Sequence, residues 1–212
     1  MKSLYIYLDE TFIGTVMTDS VRGHETWMFR YDDACVNKDE RDVGALEYKT
    51  SVLARKIGLN VPETKAQKLS KSGTPFFSRR FDRDGTRRIH YASAMTMLGA
   101  VDGEEDHSYL EIAEFLSRYS AAPEEDLHEL WNRMAFYQLV RNTDDHLRNH
   151  GFLLTSKGWR LSPMFDVNPN SDGGQNALEM GDLIKDADYY RLTKSAAQAR
   201  YAEIKLKIRA VV

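Results

Sequence analysis

Disulfide-forming cysteines, long apolar runs and an excess of positive charge are all missing from this 212-residue sequence. The single cysteine, Cys35, cannot form a disulfide within the chain, which is typical of proteins in a reducing cytosol. No apolar stretch approaches the roughly 20 residues that span a bilayer, and the alternating residues from Leu4 to Asp9 do not form a signal-peptide core. We therefore expect a soluble, cytoplasmic protein that makes no contact with membranes.

The charge balance also argues against direct binding to nucleic acid. A net charge of −3 at pH 7 gives no overall attraction for phosphate backbones or anionic lipids, and no basic recognition helix stands out. Hydrophobic residues make up 42% of the chain and aromatic residues 11%, which is sufficient for a packed core. The sequence therefore predicts one large folded domain or two small lobes.

Hydrophobic periodicity predicts a strand-rich first segment and a largely helical remainder. Alternating residues predict strands over 4–8, 12–17 and 26–31, with Gly14 marking a bulge. Apolar residues at helical spacing predict a helix over 43–57, which Gly58 ends. Further predicted elements are helices over 92–98, 109–119, 123–140 and from residue 192 onwards, a tight turn at 84–85 and a hairpin over 151–161.

The candidate functional site lies in residues 142–149, which read NTDDHLRN, and in the later aromatic–Asp dipeptide that ends at Asp166. In kinase catalytic loops the base Asp precedes a metal-binding Asn by five positions, and a second metal-binding Asp follows on the next hairpin. Asp144 and Asn149 have this spacing. Asn and Asp are also common in ordinary turns because they cap their own backbone. The addition of His146, Asn149 and Asp166 favours the kinase interpretation.

These motifs resemble the catalytic segment of the HipA family of bacterial serine/threonine kinases, whose best-known members are toxins of toxin–antitoxin pairs. The pattern is Thr-Asp-x-His-x-x-Asn over 143–149, followed by Arg-Leu-Ser-Pro-Met-Phe-Asp-Val over 160–167. The stretch from Glu47 to Pro62 resembles the helix and exit turn near the family's nucleotide pocket. Residues 80–83 resemble the stretch after its interlobe hinge, so the similarity extends over residues 40–210.

The resemblance implies an α+β, protein-kinase-like fold with a reduced β-containing N-terminal lobe and a mainly α-helical C-terminal lobe. Residues 1–42 would form a β-rich segment similar to the HipA N-terminal subdomain, and residues 43–212 the kinase core and helical C-lobe. The implied function is that of an ATP-dependent serine/threonine protein kinase, the toxin of a toxin–antitoxin pair, which uses Mg²⁺ to transfer phosphate to a protein hydroxyl. Its implied partners are a protein substrate and an antitoxin, with DNA contacted only through the antitoxin.

The resemblance also implies roles for individual residues around the phosphates. Asp144 would accept or orient the proton of the attacking hydroxyl. Asn149 and Asp166 would hold Mg²⁺ against the nucleotide, because this ion prefers oxygen ligands. His146 would either contact a phosphate or brace the loop by hydrogen bonds. Asp145 is expected to face solvent.

Two further residues would meet the adenine base. The matching positions of the interlobe connection are Arg79 and Phe81, whose main-chain groups would pair with adenine. The family commonly has an acidic residue where this chain has Arg79. Because the contact would be made by the main chain, this difference still permits nucleotide binding.

One departure from the family bears on activity. HipA proteins carry a Gly-rich phosphate-covering loop and a strand-borne lysine before the helix that begins here near Val43. Between Tyr31 and that helix the chain has room for neither, and its one lysine there, Lys38, lies in a polar stretch without strand character. If Glu47 corresponds to the kinase Glu that pairs with this lysine, it lacks its partner. The alternative is therefore a catalytically weak or inactive pseudokinase that acts as an antitoxin- or partner-binding module.

A metal-dependent phosphatase or hydrolase is a third interpretation of the same residues. It would use Asp144, Asp145, His146 and Asp166 as ligands. Two-metal sites need acids and histidines that converge around ions about 4 Å apart. This cluster has one histidine, and turnover of phosphoesters without nucleotide would distinguish this class from a kinase.

Overall fold

The computed structural model describes residues 2–8, 11–21, 24–31, 42–68, 73–101, 108–142, 144–169 and 180–211. The chain forms two compact units. One comprises Met1–Asp42 with Lys68–Thr74, and the other comprises Val43–Gln67 with Pro75–Val212. The similarity of residues 1–42 to the HipA N-terminal subdomain stays a prediction.

The first unit contains a three-stranded antiparallel sheet in the order β1 (Lys2–Leu8), β2 (Thr11–Val21) and β3 (His24–Tyr31). Ile6 pairs with Gly14 and Tyr7 with Phe12, so one residue of β2 is skipped beside Gly14. This is the predicted bulge, in which two residues of one strand face one residue of its partner. The three predicted strands are confirmed, and each is longer than the alternating pattern indicated.

The second unit begins with helix α1 (Val43–Lys56), which ends as predicted at Gly58. Gly58 has φ 97°, a left-handed conformation that glycine adopts without steric cost. Ala54, Ile57 and Leu59 from the end of this helix enter the hydrophobic core. The helix contacts a small antiparallel pair formed by β4 (Thr64–Ala66) and β5 (Phe76–Ser78).

Helix α4 (Pro123–Val140) is at the centre of the core of the second unit. Proline at its first position and acids in its first turn suit the exposed N–H groups there. Leu127, Leu130, Trp131 and Phe136 are fully buried along its length. A largely buried helix therefore leads into the predicted catalytic loop.

A second antiparallel sheet has the order β10 (Gly158–Leu161), β9 (Gly151–Thr155) and β8 (Tyr91–Ser93). Strands β9 and β10 follow that loop in the chain, and β8 precedes it. The predicted hairpin between β9 and β10 is confirmed. It returns the chain from the predicted catalytic loop to the segment that carries Asp166.

The remaining elements surround α4 and complete the α+β fold. Two short helical elements in the C-terminal part had not been predicted, because six and four residues are too few to show a helical period. They are α5 (Met180–Lys185) and a 3-10 turn at Ala187–Tyr190. No described helix has the length and apolar character needed to cross a membrane. The other elements are β6 (Arg83–Asp84), β7 (Arg87–Arg88), α2 (Ala94–Leu98), α3 (Tyr109–Tyr119), a 3-10 turn at Leu147–Asn149, α5 (Met180–Lys185) and α6 (Lys194–Val211).

Candidate active site

The predicted catalytic loop begins where helix α4 ends at a residue in the left-handed region. Arg141 has φ 59°, and the main-chain N–H of Asn142 donates to the carbonyl oxygen of Tyr137 over 2.9 Å. Residues 144–146 lie outside regular structure and lead into the 3-10 turn Leu147–Asn149. The loop is therefore held between the end of a buried helix and the first residue of β9.

The structure brings three predicted site residues together within this loop. The side chain of Asp144 is 74% exposed, and its Oδ1 lies 4.0 Å from Nε2 of His146. Asn149 is buried, and its Nδ2 donates to the main-chain oxygen of Asp144 over 3.2 Å. This hydrogen bond orients the amide group of Asn149, whose oxygen is the atom that can bind a cation. The arrangement combines an accessible carboxylate with a fixed amide oxygen.

The main chain of His146 also braces this loop. Its carbonyl oxygen accepts a hydrogen bond from the main-chain N–H of Asn149 over 2.8 Å. Its side-chain Nδ1 is buried and has no hydrogen-bond partner among the described residues. Because this is a main-chain contact that any residue could make, both roles foreseen for the His146 side chain, bracing the loop and contacting a phosphate, stay predictions.

Asp166 lies in the segment that follows β10 and has an unusual backbone conformation. Its φ of 56° is left-handed, which costs a residue with a side chain on the order of 1 kcal/mol. The Nδ2 group of Asn168 donates to Oδ1 of Asp166 over 3.0 Å. The main-chain N–H of Asn168 donates to Oδ1 of the buried Asn142 over 3.2 Å. Asn142 and Asn168 thus connect the loop of Asp144 to the loop of Asp166.

A cavity of about 310 Å³ lies on the α1 side of Asp166. Burial, together with the negative charge of Asp166, raises the pKa of Glu47 to about 7. Two carboxyl groups therefore share this space, and a bound cation would lower the electrostatic cost of ionising both. The described lining contains no lysine or arginine and consists of Glu47, Ser51, Val61, Pro62, Thr64, Phe76, Ser78, Met164, Phe165, Asp166 and Val167.

Arg79, one of the two positions expected to meet adenine, already uses its main-chain N–H. That group donates to the carbonyl oxygen of Glu63 over 2.8 Å. The guanidinium group of Arg79 also pairs with the Glu63 carboxylate over 3.0 Å, on an exposed surface. At this residue the carbonyl oxygen is consequently the main-chain group that adenine could use.

The second such position, Phe81, is connected to the segment that carries Asp166 by aromatic packing. Its ring centroid lies 5.5 Å from that of Phe165 and 5.8 Å from that of Tyr91. Phe165 immediately precedes Asp166. A displacement of the segment around Phe81 would therefore be transmitted to the backbone that holds Asp166.

Asp145 differs from expectation, since it does not face solvent. Its side chain is 13% exposed, and its Oδ1 accepts a hydrogen bond of 2.9 Å from Nε2 of His150, which is 2% exposed. The physical reason is that a buried donor was available five residues later. His150 was not predicted from the sequence, because an Asp–His pair across a loop has no distinctive sequence signal.

This contact also weighs against the two-metal hydrolase interpretation. Asp145 is engaged with His150 rather than directed with Asp144 and His146 towards a common point. Within the described ranges, no group of three or more His, Cys, Asp and Glu residues is arranged to hold a metal ion. Magnesium that is bound partly through nucleotide phosphates needs only one or two protein carboxylates, so this observation leaves the kinase interpretation intact.

A buried arginine of helix α4 supports the segment that leads to Asp166. Arg133 is 1% exposed, and it donates from Nε to Glu129 over 2.9 Å and from a terminal nitrogen to the carbonyl oxygen of Ser162 over 2.8 Å. The same Glu129 oxygen accepts the main-chain N–H of Asn60 over 3.0 Å. This cluster therefore fixes the exit turn of α1 and the start of the segment that carries Asp166 to one helix. Arg133 was not among the residues predicted from the sequence to matter for the site.

The fold is that of a kinase-like α+β domain. Residues 9–212 match the model of the HipA-like C-terminal domain. The chain belongs to this family, as the motif resemblance had indicated, and the family prediction is confirmed.

Curated proteins of two bacteria align with parts of the chain. One is "Putative kinase Y4mE" of Sinorhizobium fredii, 30% identical over 126 residues, which are 54% of this chain and 30% of that protein. Another is "Putative kinase" of Haemophilus influenzae, 28% identical over 135 residues, which are 57% of this chain and 39% of that protein. The aligned parts thus span between about three and four tenths of the length of these relatives.

Solved structures confirm the kinase-like fold. A chain of the HipA, HipB and operator DNA complex of Shewanella oneidensis superimposes with a TM-score of 0.69 at 17% identity, covering 99% of this chain and 55% of that one. The proinflammatory kinase CtkA of Helicobacter pylori superimposes with a TM-score of 0.55 at 14% identity, covering 93% of this chain and 81% of that one. At these identities the similarity establishes the fold alone.

Proposed function

We propose that the chain is an ATP-dependent serine/threonine protein kinase of the HipA type, acting in the cytoplasm as the toxin of a toxin–antitoxin pair. The observation that carries the proposal is the pair of linked loops, in which Asp144 and Asn149 are joined to Asp166 through Asn142 and Asn168. An antitoxin partner belongs to the proposal by analogy with the Shewanella HipA, which is seen with HipB and operator DNA. A protein hydroxyl is the proposed phosphate acceptor.

The donor set suits magnesium bound together with nucleotide phosphates. Asp166 offers an accessible carboxylate, and Asn149 offers an amide oxygen whose neighbouring nitrogen is already engaged. Burial, and after it the charge of Asp166, raise the pKa of Glu47 in the adjoining cavity, and a cation bound there would favour the ionised form of this carboxyl group. When bound, Mg²⁺ would neutralise charge on the phosphates, which is the main electrostatic demand of phosphoryl transfer.

In the proposed reaction, Asp144 receives the proton of the substrate hydroxyl. The hydroxyl oxygen forms a bond to the γ-phosphorus, the bond from that phosphorus to the bridging oxygen breaks, and ADP leaves. The 74% exposure of the Asp144 side chain supports this role, because a protein substrate must reach it. Arg79 and Phe81 would position the adenine through their main chain.

The experiment is phosphate transfer from labelled ATP with Mg²⁺ to dephosphorylated bacterial proteins, with mass spectrometry to locate the phosphorylated residues. Asp144→Asn and Asp166→Asn should each reduce transfer at least about a hundredfold, because each removes a group used in the transition state. Asp182→Asn, on the exposed side of α5, is the matched control and should be fully active. Transfer that survives both site substitutions would refute the assigned mechanism.

A second candidate function, a pseudokinase that binds an antitoxin or other partner, is favoured by a different observation. Among the described residues, the cavity beside Glu47 and Asp166 has no basic side chain to clamp a nucleotide phosphate. Calorimetric titration of Mg²⁺–ATP separates the two functions. Binding that disappears in Asp166→Ala supports the kinase, whereas the absence of binding at millimolar nucleotide supports the binding module.

A further inference from the structure

Asp145 and His150 form a partly buried hydrogen bond that encloses the proposed catalytic segment. Nε2 of His150 donates to Oδ1 of Asp145 over 2.9 Å, and the His150 and Asp145 side chains are 2% and 13% exposed. A carboxylate oxygen only accepts hydrogen bonds, so the ring carries a hydrogen on Nε2. The two residues bracket positions 146–149, and the bond therefore closes a short loop across its ends.

His150 is fixed from several sides, which makes it an anchor for that loop. Its ring meets the ring of Tyr109 on α3 edge-on, with centroids 5.2 Å apart, and that of Tyr137 on α4 at 6.0 Å. Its carbonyl oxygen accepts the main-chain N–H of Ala94, the first residue of α2, over 2.8 Å. The anchor consequently joins three helices before the chain enters β9.

The bond couples the two functional positions because each partner is the chain neighbour of one of them. Asp145 follows Asp144 directly, and His150 follows Asn149 directly. A second bond runs alongside it, from Nδ2 of Asn149 to the main-chain oxygen of Asp144. A movement of Asp145 away from the anchor would carry the Asp144 backbone with it and withdraw the acceptor that orients Asn149.

We propose that Asp145 and His150 are positioning residues for phosphoryl transfer, whose hydrogen bond sets the separation of Asp144 and Asn149. The inference rests on the proposed kinase function. Neither residue touches substrate in this scheme, and the carboxylate of Asp145 is used only as a hydrogen-bond acceptor. Loss of the bond should lower kcat much more than it raises the KM for ATP, because misplacing catalytic groups by about 1 Å can cost on the order of a hundredfold in rate.

Paired substitutions separate the hydrogen bond from the charge and from the packing. Asp145→Ala removes the acceptor, whereas Asp145→Asn keeps an oxygen in the same place. His150→Phe keeps a ring between Tyr109 and Tyr137 without a donor, whereas His150→Gln offers an amide donor at a comparable reach. Asp145→Ala and His150→Phe should each lower kcat at least about tenfold, with the KM for ATP changed less than about threefold. The conservative variant at each position should recover most of the loss.

Hydrogen exchange of the amides of residues 144–150 gives a readout that does not need catalysis. Exchange should accelerate at least about tenfold in Asp145→Ala and return towards the wild-type rate in Asp145→Asn, because the bond restrains the loop. The double variant Asp145→Ala/His150→Phe should be no worse than either single variant, since both remove the same interaction.

The outcomes distinguish this inference from the proposed function. In one outcome the wild-type chain transfers no phosphate, while Asp145→Ala loosens the loop and Asp145→Asn restores it. This result contradicts the kinase function but supports the restraint of the loop by the hydrogen bond. An active wild-type chain whose kcat is unaffected by Asp145→Ala overturns the positioning role. Equal losses in Asp145→Asn and Asp145→Ala, with exchange unchanged, overturn it as well, because the charge rather than the hydrogen bond would then be required.

Discussion

Asn168 donates its main-chain N–H to the side-chain oxygen of Asn142 over 3.2 Å, which joins the loop after β10 to the loop after α4. The same residue holds Asp166 by a side-chain hydrogen bond of 3.0 Å. Asp166 has a left-handed backbone conformation, so these contacts offset a conformation that the isolated chain would disfavour. The geometry of the proposed metal loop therefore depends on two asparagines outside the family motif.

Replacement of Asn168 by alanine should weaken Mg²⁺–ATP binding about tenfold, which corresponds to roughly 1.4 kcal/mol. The reason is that the Asp166 carboxylate loses the donor that orients it, while its charge is unchanged. Calorimetric titration measures the affinity directly. Asn132→Ala, a half-buried asparagine that lines a different groove, is the control. An unchanged affinity in Asn168→Ala would show that Asp166 is held by other means.

Arg133→Ala should destabilise the second unit by about 3 to 5 kcal/mol, because it removes a buried charged donor and leaves its acceptors unpaired. The lost contacts are those to Glu129 and to the carbonyl oxygen of Ser162. Urea unfolding followed by circular dichroism measures this change. Arg118→Ala breaks an exposed pair with Glu114 and should cost less than about 1 kcal/mol. Similar losses in the two variants would contradict the assigned role of Arg133.

The elements that local signals determine could be predicted from the sequence with accurate bounds. Helix Pro123–Val140 has a proline and acids at its start, and α1 ends at Gly58, where a left-handed residue is needed. The spacing of Asp144 and Asn149 predicted a site in this loop, and the structure joins the two residues by a hydrogen bond, while their catalytic roles stay a prediction. These features depend on residues close together in the chain, for which propensity and capping are informative.

Features that depend on distant residues could not be read from the chain. Asp145 was expected to face solvent because acidic residues in loops usually do. Its side chain points inward instead, because it hydrogen-bonds the buried ring of His150. The contact between Asn142 and Asn168 spans 26 positions and links two loops that no local pattern associates. Tertiary hydrogen bonds of this kind decide the detailed geometry of the proposed site.

Gly151→Ala should destabilise the second unit by about 1 to 3 kcal/mol, since overpacking forces neighbouring side chains out of place. A Cβ atom at this position would lie 2.3 Å from the ring of Tyr91, which itself packs against Phe81. Gly181→Ala is a matched control, because nothing lies within 4 Å of its added Cβ. Within α5 the control should stabilise by up to about 1 kcal/mol, as alanine favours helices. Thermal unfolding shows whether each substitution lowers or raises the melting temperature. Equal shifts in the two variants would contradict the predicted steric clash with Tyr91.

Glu47 should make the stability of the second unit fall as the pH rises from about 4.5 to about 7. Burial, assisted by the charge of Asp166, raises the pKa of this carboxyl from 4.5 to about 7. Between these values the folded state binds more protons than the unfolded state, so raising the pH favours unfolding. Since the group is partly exposed, solvent screening limits the effect to on the order of 1 kcal/mol.

Urea unfolding between pH 5 and pH 8 tests this dependence with Glu47→Gln, which cannot ionise. The free energy of unfolding of the variant should exceed that of the wild type by an amount that grows towards pH 8. Glu124→Gln, at an exposed position of α4, is the matched control. Asp166→Asn should shift the pH range over which the stability falls to lower pH. The reason is that it removes the charge that, together with burial, raises the pKa of Glu47. If the stability that Glu47→Gln gains over the wild type instead shrank with rising pH, the charge of the Glu47 carboxylate would already be compensated by a cation.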